Sequence, residues 1–272
     1  MHHPFISIVI PSLNQGKFIR QTLDSIFFQN YSNVEIIVMD GGSKDGTVQI
    51  LKEYELRVKK YAVPIGRQEL REQRIFKWVS KKDKGQADAI NKGMKMAKGK
   101  IVGFINSDDF YETNVLQNVM AFFAKNSSLM WMTGDCRIVD EKGKEIQRFV
   151  RLYKKFFRMV PFSMVLPVLN PIAQPSTFWR REVFSEIGYF DESLRYTFDY
   201  DFWLRMMHLP YVVIGETLSS FRIHGASKGG KEYKKQFEEE EETAKRYVHN
   251  SIVRLFHHVH ARAITYSYDL IK

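Results

Sequence analysis

One cysteine, Cys136, stands in a chain of 272 residues. A disulfide framework and a cysteine-held zinc site are therefore excluded, and a reducing compartment fits. No run reaches the roughly 20 consecutive apolar residues that a membrane-crossing helix requires. The apolar start, Phe5–Ile10, has no basic flank and is cut by Pro11, so it reads as a first strand and not as a secretory signal. A soluble, cytoplasmic protein is expected. The chain has neither the G-x-G-x-x-G turn of dinucleotide sites nor a phosphate loop ending in G-K-[ST], which argues against a dinucleotide oxidoreductase and a P-loop hydrolase. Internal repeats, zinc-finger spacing, a basic zipper and an RNA-recognition motif are missing too, so no nucleic acid is expected as a partner.

What is plentiful is positive charge and apolar bulk. Lys and Arg outnumber Asp and Glu by 41 to 31, a net +10 with a pI near 9.5. Residues 51–100 carry fifteen bases against six acids, and Arg151, Lys154, Lys155 and Arg158 follow with no acid among them. Basicity of this kind suits phosphate-bearing ligands or an anionic membrane surface. With 44% hydrophobic and 14% aromatic residues, the chain can bury a large core.

The apolar patterning is that of an α/β fold. Short β-branched runs at Phe5–Ile10, Val34–Met39, Ile75–Val79 and Ile101–Ile105 alternate with helical periodicity over 17–29, 46–59 and 86–97, the mark of a parallel sheet flanked by helices. A charged, irregular insertion over 61–74 interrupts it. After Asp109, a helix over 113–125 leads to a strand at Met130–Val139, a hairpin turn at Glu141–Lys144 and a strand at Glu145–Val150. Pro161, Pro167 and Pro171 forbid one helix over 151–172. Two short strands, Tyr211–Ile214 and Thr217–Arg222, precede a helix-forming tail from Lys231. Its five consecutive acids, Glu238–Glu242, read as a solvated helical face. His257, His258 and His260 read as part of a plain amphipathic helix.

The residues suited to chemistry sit where strands end. Ile101–Ile105 stops at Asn106, Ser107, Asp108 and Asp109. Ligands of open α/β sheets bind beyond the carboxyl ends of strands, and adjacent carboxylates repel unless a cation or a cluster of hydrogen-bond donors compensates them. A divalent metal that also carries phosphates does so; the plain alternative is a helix cap from Asp109 or Thr113. The first strand ends in Pro11–Asn14, and the second in Asp40 followed by Gly41 and Gly42, where backbone can approach a ligand. Within Asp83–Gly93, Asp88 and Asn91 lie three apart on one helix face, and the helix start with its lysines favours an anion. Gly93 is expected to interrupt that helix early.

Taken in order, these strings resemble the family 2 glycosyltransferases of the GT-A fold. The resemblance rests on Ile8–Pro11 with Asn14, Glu35–Thr47, Asp83–Gly93 and Asn106–Asp109. It continues through Gln174–Phe178, Gly188–Glu192, Asp199–Arg205 and Arg222–His224 with Ser227. It spans residues 5–228, leaving 229–272 as a C-terminal helical extension. It implies a GT-A domain over 1–228: a mostly parallel Rossmann-like sheet flanked by helices. Its 1–109 half would bind a nucleotide sugar, and its α+β half, 110–228, the acceptor. The implied activity is metal-dependent, inverting transfer from a nucleotide-diphosphate sugar, UDP favoured, to a saccharide or lipid-linked acceptor in surface polysaccharide or glycolipid assembly.

By that resemblance Pro11, Ser12, Asn14, Asp40 and Asp83 line the base and ribose pocket, with Asp88 and Asn91 on the same nucleotide-sugar side. Asp109 would ligate Mn²⁺ or Mg²⁺, Asp108 would lie nearer the ribose and diphosphate, and His224 would approach the metal or the diphosphate. Asp199 would be the catalytic base, although Phe198 stands where a Glu is frequent in the family. Asp201 is the rival base and, with Gln174, belongs to the acceptor side. A nucleotidyltransferase is disfavoured because Pro11–Asn14 is no glycine- and base-rich triphosphate loop. A non-catalytic carbohydrate- or lipid-binding protein is disfavoured by the joint presence of all these acids. In 151–172, Lys154, Lys155 and Arg158 beside Phe156, Phe157, Met159 and Phe162 resemble an interfacial membrane segment or a lid over the acceptor cleft. Peripheral attachment to the cytosolic membrane face is therefore also expected.

Overall fold

Every residue of the first two strands, β1 (Ile6–Ser12) and β2 (Val34–Asp40), is buried, as strands covered by helices on both faces must be. The computed structural model describes residues 5–61, 74–225, 227 and 232–271; positions 62–73 of the expected insertion lie outside them. β1 pairs in parallel with β2 and with β4 (Ile101–Phe104), and β2 with β3 (Ile75–Ser80). The intervening helices are α1 (Ile19–Phe27), α2 (Thr47–Tyr61) and α3 (Gln86–Met96). Beyond β4 the sheet continues through β7 (Thr177–Arg180), β6 (Trp131–Val139) and β8 (Tyr211–Arg222) to the two-residue edge strand β5 (Phe110–Tyr111). The order is β3-β2-β1-β4-β7-β6-β8-β5. Side chains alternate across the sheet. Ile6, Ile8 and Ile10 pack with α1 and α4 (Val115–Lys125), whereas Val9 packs with α3 and α8 (Phe198–Met206). The expected α/β, mostly parallel GT-A architecture is what forms.

Four local expectations change. The turn after β6 forms, but only the Val139–Glu145 bridge follows it; α5 (Arg148–Phe157) replaces the expected strand. The helix is clamped there because the buried Asp135 of β6 accepts Arg151 Nε at 2.8 Å and also pairs with Arg158. Arg158 and Phe162 are buried at 4% and 0% exposure, so neither belongs to an interfacial segment as expected. The two short strands near 211–222 are one strand, β8, with the irregularity absorbed by register shifts opposite Thr133–Cys136. Neither Asp109 nor Thr113 caps α4; its N-cap is Asn114, without a side-chain cap bond.

Gly93 does not interrupt α3 but lets it lie against β1. A Cβ there would come within 2.4 Å of Val9 Cγ1. Gly93→Ala should therefore lower the melting temperature. The clash of about 1–3 kcal/mol outweighs the gain of about 1 kcal/mol in helix propensity. An unchanged or raised Tm in a thermal melt would show that α3 can slide.

The remaining elements are α6 (Phe162–Val165), a 3₁₀ turn at Gln174–Ser176, α7 (Val183–Ile187), α9 (Tyr233–Tyr247) and α10 (Ser251–Ile271). α9 packs on α8 and on α10. No described helix is long and apolar enough to cross a membrane.

Candidate active site

Parallel pairing sets Ser12 beside Asp40 at the carboxyl ends of β1 and β2. Asp40, 2% exposed, accepts the N–H groups of Gly42 and Ser43 at 3.1 and 2.9 Å and the Ser80 hydroxyl at 2.6 Å. Its carboxylate thus shapes the loop after β2. Gly41 allows Asp83 to approach, since a Cβ there would sit 2.6 Å from Asp83 Oδ2. Asp40 and Asp83 share a cavity of about 140 Å³ lined also by Val79, Lys81 and Lys92. Among the described residues the buried Ser12 hydroxyl has no hydrogen-bond partner, a buried polar group left for something to satisfy. Pro11 is buried, while Asn14, at φ 52°, laces the two loops. Its N–H donates to Ser43 Oγ at 2.7 Å and its Oδ1 accepts Lys44 N–H at 2.9 Å.

Asp88 and Asn91 do not line that cavity. Asn91 Nδ2 donates to Phe190 O at 2.9 Å while its Oδ1 accepts Phe190 N–H at 3.1 Å. Asp88 accepts Lys84 N–H at 2.9 Å and Lys92 Nζ at 2.6 Å. Burial works against its charge, but these partners hold its carboxyl below the usual range. Both residues brace α3.

The Asp108–Asp109 pair is divided by Arg222. Asp109 is fully buried; its Oδ1 accepts the Arg222 N–H at 2.8 Å and its Oδ2 accepts Asn106 Nδ2 at 3.2 Å. Burial, then the charge of Asp108, pushes its carboxyl well above the usual range. Asp108 keeps 18% of its side chain exposed and meets His224 Nε2 at 2.9 Å. Asp109 thus spends both oxygens inside the protein, whereas Asp108 keeps an exposed edge beside the largely buried His224 ring. Arg222, given no role by sequence reasoning, is the keystone. Its Nε donates to Asp108 O at 2.8 Å, and its Nη atoms to Glu141 O at 2.7 Å and Gln21 Oε1 at 2.6 Å. The Phe18 and Phe110 rings lie 4.9 and 5.2 Å from the guanidinium carbon. Its only sequence signal was its place beside His224 in the family string.

Asp199 stands in the first turn of α8, where its Oδ1 accepts Tyr200 N–H at 2.8 Å. Phe198 packs on Phe104, the last residue of β4, and on Phe190, with ring centroids 6.5 and 5.8 Å apart. The departure from Glu at this position is thus a core contact that anchors α8 at the strand end from which Asp108 departs. Gln174 Nε2 donates to Phe104 O at 2.8 Å, and Gln86 Nε2 to Asn106 Oδ1 at 2.7 Å. Asp201 is 2% exposed and accepts Arg205 Nε at 2.9 Å and the Tyr247 hydroxyl at 2.6 Å. In this position it serves as an internal clamp between α8 and α9.

The acidic run of the tail is not simply a solvated face. Successive helical residues turn by about 100°, so five in a row must send some inward once the helix packs. Glu239 accepts the N–H groups of Arg195, Tyr196 and Thr197 at 2.9, 2.6 and 2.9 Å, satisfying backbone donors at the start of α8 that no helix bond can use. Glu240 is 9% exposed. Desolvation raises its carboxyl to about 7, with Lys154 opposing and Asp199 adding to the shift. Desolvation likewise raises Asp199 to about 6, opposed by the Tyr200 N–H and Lys154. The tail histidines serve packing: His260 bonds the Tyr153 hydroxyl at 2.7 Å and His258 meets Glu241 at 3.1 Å.

Among the described residues no group of three or more His, Cys, Asp or Glu side chains is placed to hold a metal. Asp108 and His224 supply two donors. Mg²⁺-type sites commonly take one or two protein carboxylates and complete the shell from substrate phosphates and water. The residues fit that shared mode and not a cage made of protein alone.

A model described as glycosyl transferase family 2 matches residues 7–188. A protein of Rickettsia typhi named an uncharacterized glycosyltransferase is 28% identical over 229 residues, 83% of this chain and 66% of that protein. The chondroitin synthase of Escherichia coli is 25% identical over 223 residues, 82% of this chain and 29% of that protein. The chain thus spans just under two thirds of the first relative and less than a third of the second. Among solved structures, a Pyrobaculum calidifontis mannosyltransferase in complex with GDP-Man and Mn²⁺ superposes with a TM-score of 0.68 at 16% identity, covering 96% of this chain and 70% of that one. TarS 1–349 of S. aureus in complex with UDP-GlcNAc gives 0.65 at 19% identity, covering 88% and 65%. At such identity the structures establish the shared fold. With the family model matching more than half of its length, this chain belongs to glycosyl transferase family 2.

Proposed function

We propose that the chain transfers a sugar, with inversion, from a nucleotide-diphosphate sugar, UDP favoured, to a hydroxyl of a saccharide or lipid-linked acceptor. The pathway would be assembly of a surface polysaccharide or glycolipid, with the enzyme held peripherally at a membrane. One arrangement carries the reading: Asp108–His224 and Asp199 are built on the same end of β4, and the Asp40–Asp83 cavity lies beside the neighbouring strand ends. The nucleotide sugars bound in the two similar structures support a donor of this class.

The geometry supports the following roles. The cavity takes the base and ribose, with Ser12, Asp40 and Asp83 as its polar contacts. Asp108 and His224, with Asp108 taking the part expected of Asp109, would hold Mn²⁺ or Mg²⁺, which would supply Lewis-acid neutralisation of charge on the leaving diphosphate. Asp199 takes the proton from the acceptor hydroxyl as that oxygen attacks the anomeric carbon. Gln174, tied to the Phe104 carbonyl, sits on the acceptor side.

A panel of UDP-, GDP- and dTDP-sugars, each with and without Mn²⁺, tests the donor by thermal shift. Binding to the native state at about 100 times Kd adds roughly 2.7 kcal/mol, a rise of roughly 5–10 °C for a chain of this size. The rise should require the metal. A flat response across all donors would count against the reading.

A further inference from the structure

Two helices outside the nucleotide cavity hold apolar side chains out to solvent in register. On α5 and the turn after it, Phe149, Leu152, Phe156 and Met159 are between 53 and 81% exposed. Their spacing of three, four and three draws one helical line. On α10, Ile252, Leu255, Phe256 and Val259 are between 56 and 64% exposed, again at helical spacing. The two lines adjoin. Tyr153 of α5 bonds His260 of α10 at 2.7 Å, and their rings lie nearly parallel with centroids 6.1 Å apart. Leu152 and Phe156 flank the first residue, Phe256 and Val259 the second. Apolar surface joined in this way marks an interaction site rather than ordinary scatter.

Charge selects the occupant. Residues 146–181 hold seven Lys and Arg and no acid, and residues 243–268 hold four and no acid. Arg148, Lys155, Arg254 and Arg262 are exposed on these same two helices. A second copy of the chain would bring one basic face against another. An anionic bilayer meets both properties, since apolar side chains enter the acyl boundary while Lys and Arg stay among the headgroups.

We infer that α5 and α10 together form a docking surface for an anionic lipid bilayer. The surface differs from the one expected from sequence, which lay within 151–172 and relied on Arg158 and Phe162, both buried. Half of it comes from the terminal helix. α5 also carries Lys154, on its opposite face, within electrostatic reach of Asp199, so docking on this face would set the base about one helix diameter, roughly 10 Å, behind the membrane-facing line. That last step rests on the transfer reading above; the docking itself does not.

Flotation with extruded vesicles tests it on the full chain. The protein should float with vesicles of phosphatidylcholine mixed with phosphatidylglycerol at low salt. It should stay below with phosphatidylcholine alone, and be released as salt screens the charges. Phe149→Glu combined with Phe256→Glu should cut the floating fraction by roughly tenfold or more, since each change removes buried apolar area and adds a repelled charge. Both sites are exposed, so the variant's Tm and its metal-dependent response to nucleotide sugars should match the wild type. Absence of flotation with anionic vesicles, or undiminished flotation of the variant, overturns the proposal. So does a concentration-dependent dimer in sedimentation that the variant abolishes, which would make a second copy the occupant. Failure of the donor panel with flotation intact would remove the transfer reading and leave the docking surface standing.

Discussion

Asp199→Asn should leave metal-dependent nucleotide-sugar binding intact while lowering turnover by about 10²–10⁴-fold, the usual worth of a positioned proton acceptor. The amide oxygen can still accept the Tyr200 N–H that the carboxylate accepts at 2.8 Å, so the start of α8 is preserved. What is lost is the capacity to take a proton, together with the negative charge that faces Lys154. The wild-type profile of kcat against pH follows from the same group. Its carboxyl is raised to about 6, first by desolvation, and the active form is the carboxylate, so activity should fall as pH drops through about 6. Lys154→Met removes the cation that favours the charged form, and the acidic limb should then move to higher pH. A merely structural Lys154 would change kcat without moving the limb. Should Asp199→Asn turn over normally while Asp201→Asn does not, the base has been misassigned.

Asp108→Ala and Asp109→Ala should fail in opposite ways. Asp108 is partly exposed and meets His224, so its loss removes one hydrogen bond worth about 1 kcal/mol, a fall in Tm of roughly 2–4 °C. The Mn²⁺-dependent rise with a nucleotide sugar should vanish. Asp109→Ala instead leaves the Arg222 N–H and the Asn106 amide without their acceptor in a buried site. Two orphaned donors cost about 3 kcal/mol or more, a fall of roughly 6–12 °C. Differential scanning fluorimetry with and without Mn²⁺ and donor separates the two. If Asp109→Ala kept its Tm and lost the metal response, the exchange of roles drawn from the geometry would be wrong.

The division between Asp108 and Asp109 shows where sequence reasoning ends. Both are acids at the end of an apolar run, and nothing local distinguishes them. Arg222, on β8, decides which one is sealed, because its N–H and guanidinium fasten the pair to the sheet. Asp201 and Asn91 make the same point. Each sits in a matching string, yet Tyr247 and Arg205 occupy the first, and the Phe190 backbone occupies the second. Glu239 and Glu240 were hidden in a run that charge pattern alone places in solvent. Only the packing of α9 on α8 turns them toward Asp199.

By itself the sequence determined what short-range periodicity can carry. The buried strands, the helices between them and the ends where Pro11–Asn14, Asp40 and Asp108 emerge follow from apolar spacing, and the order of strings identified the family. The tertiary structure decided which of those acids remain available to a ligand. It also decided that Gly93 brings α3 onto β1, and that the terminal helix joins α5 in one exposed face. The reason is physical. Burial, desolvation and hydrogen-bond saturation depend on partners as far as 201 residues away along the chain, and no local pattern records who those partners will be.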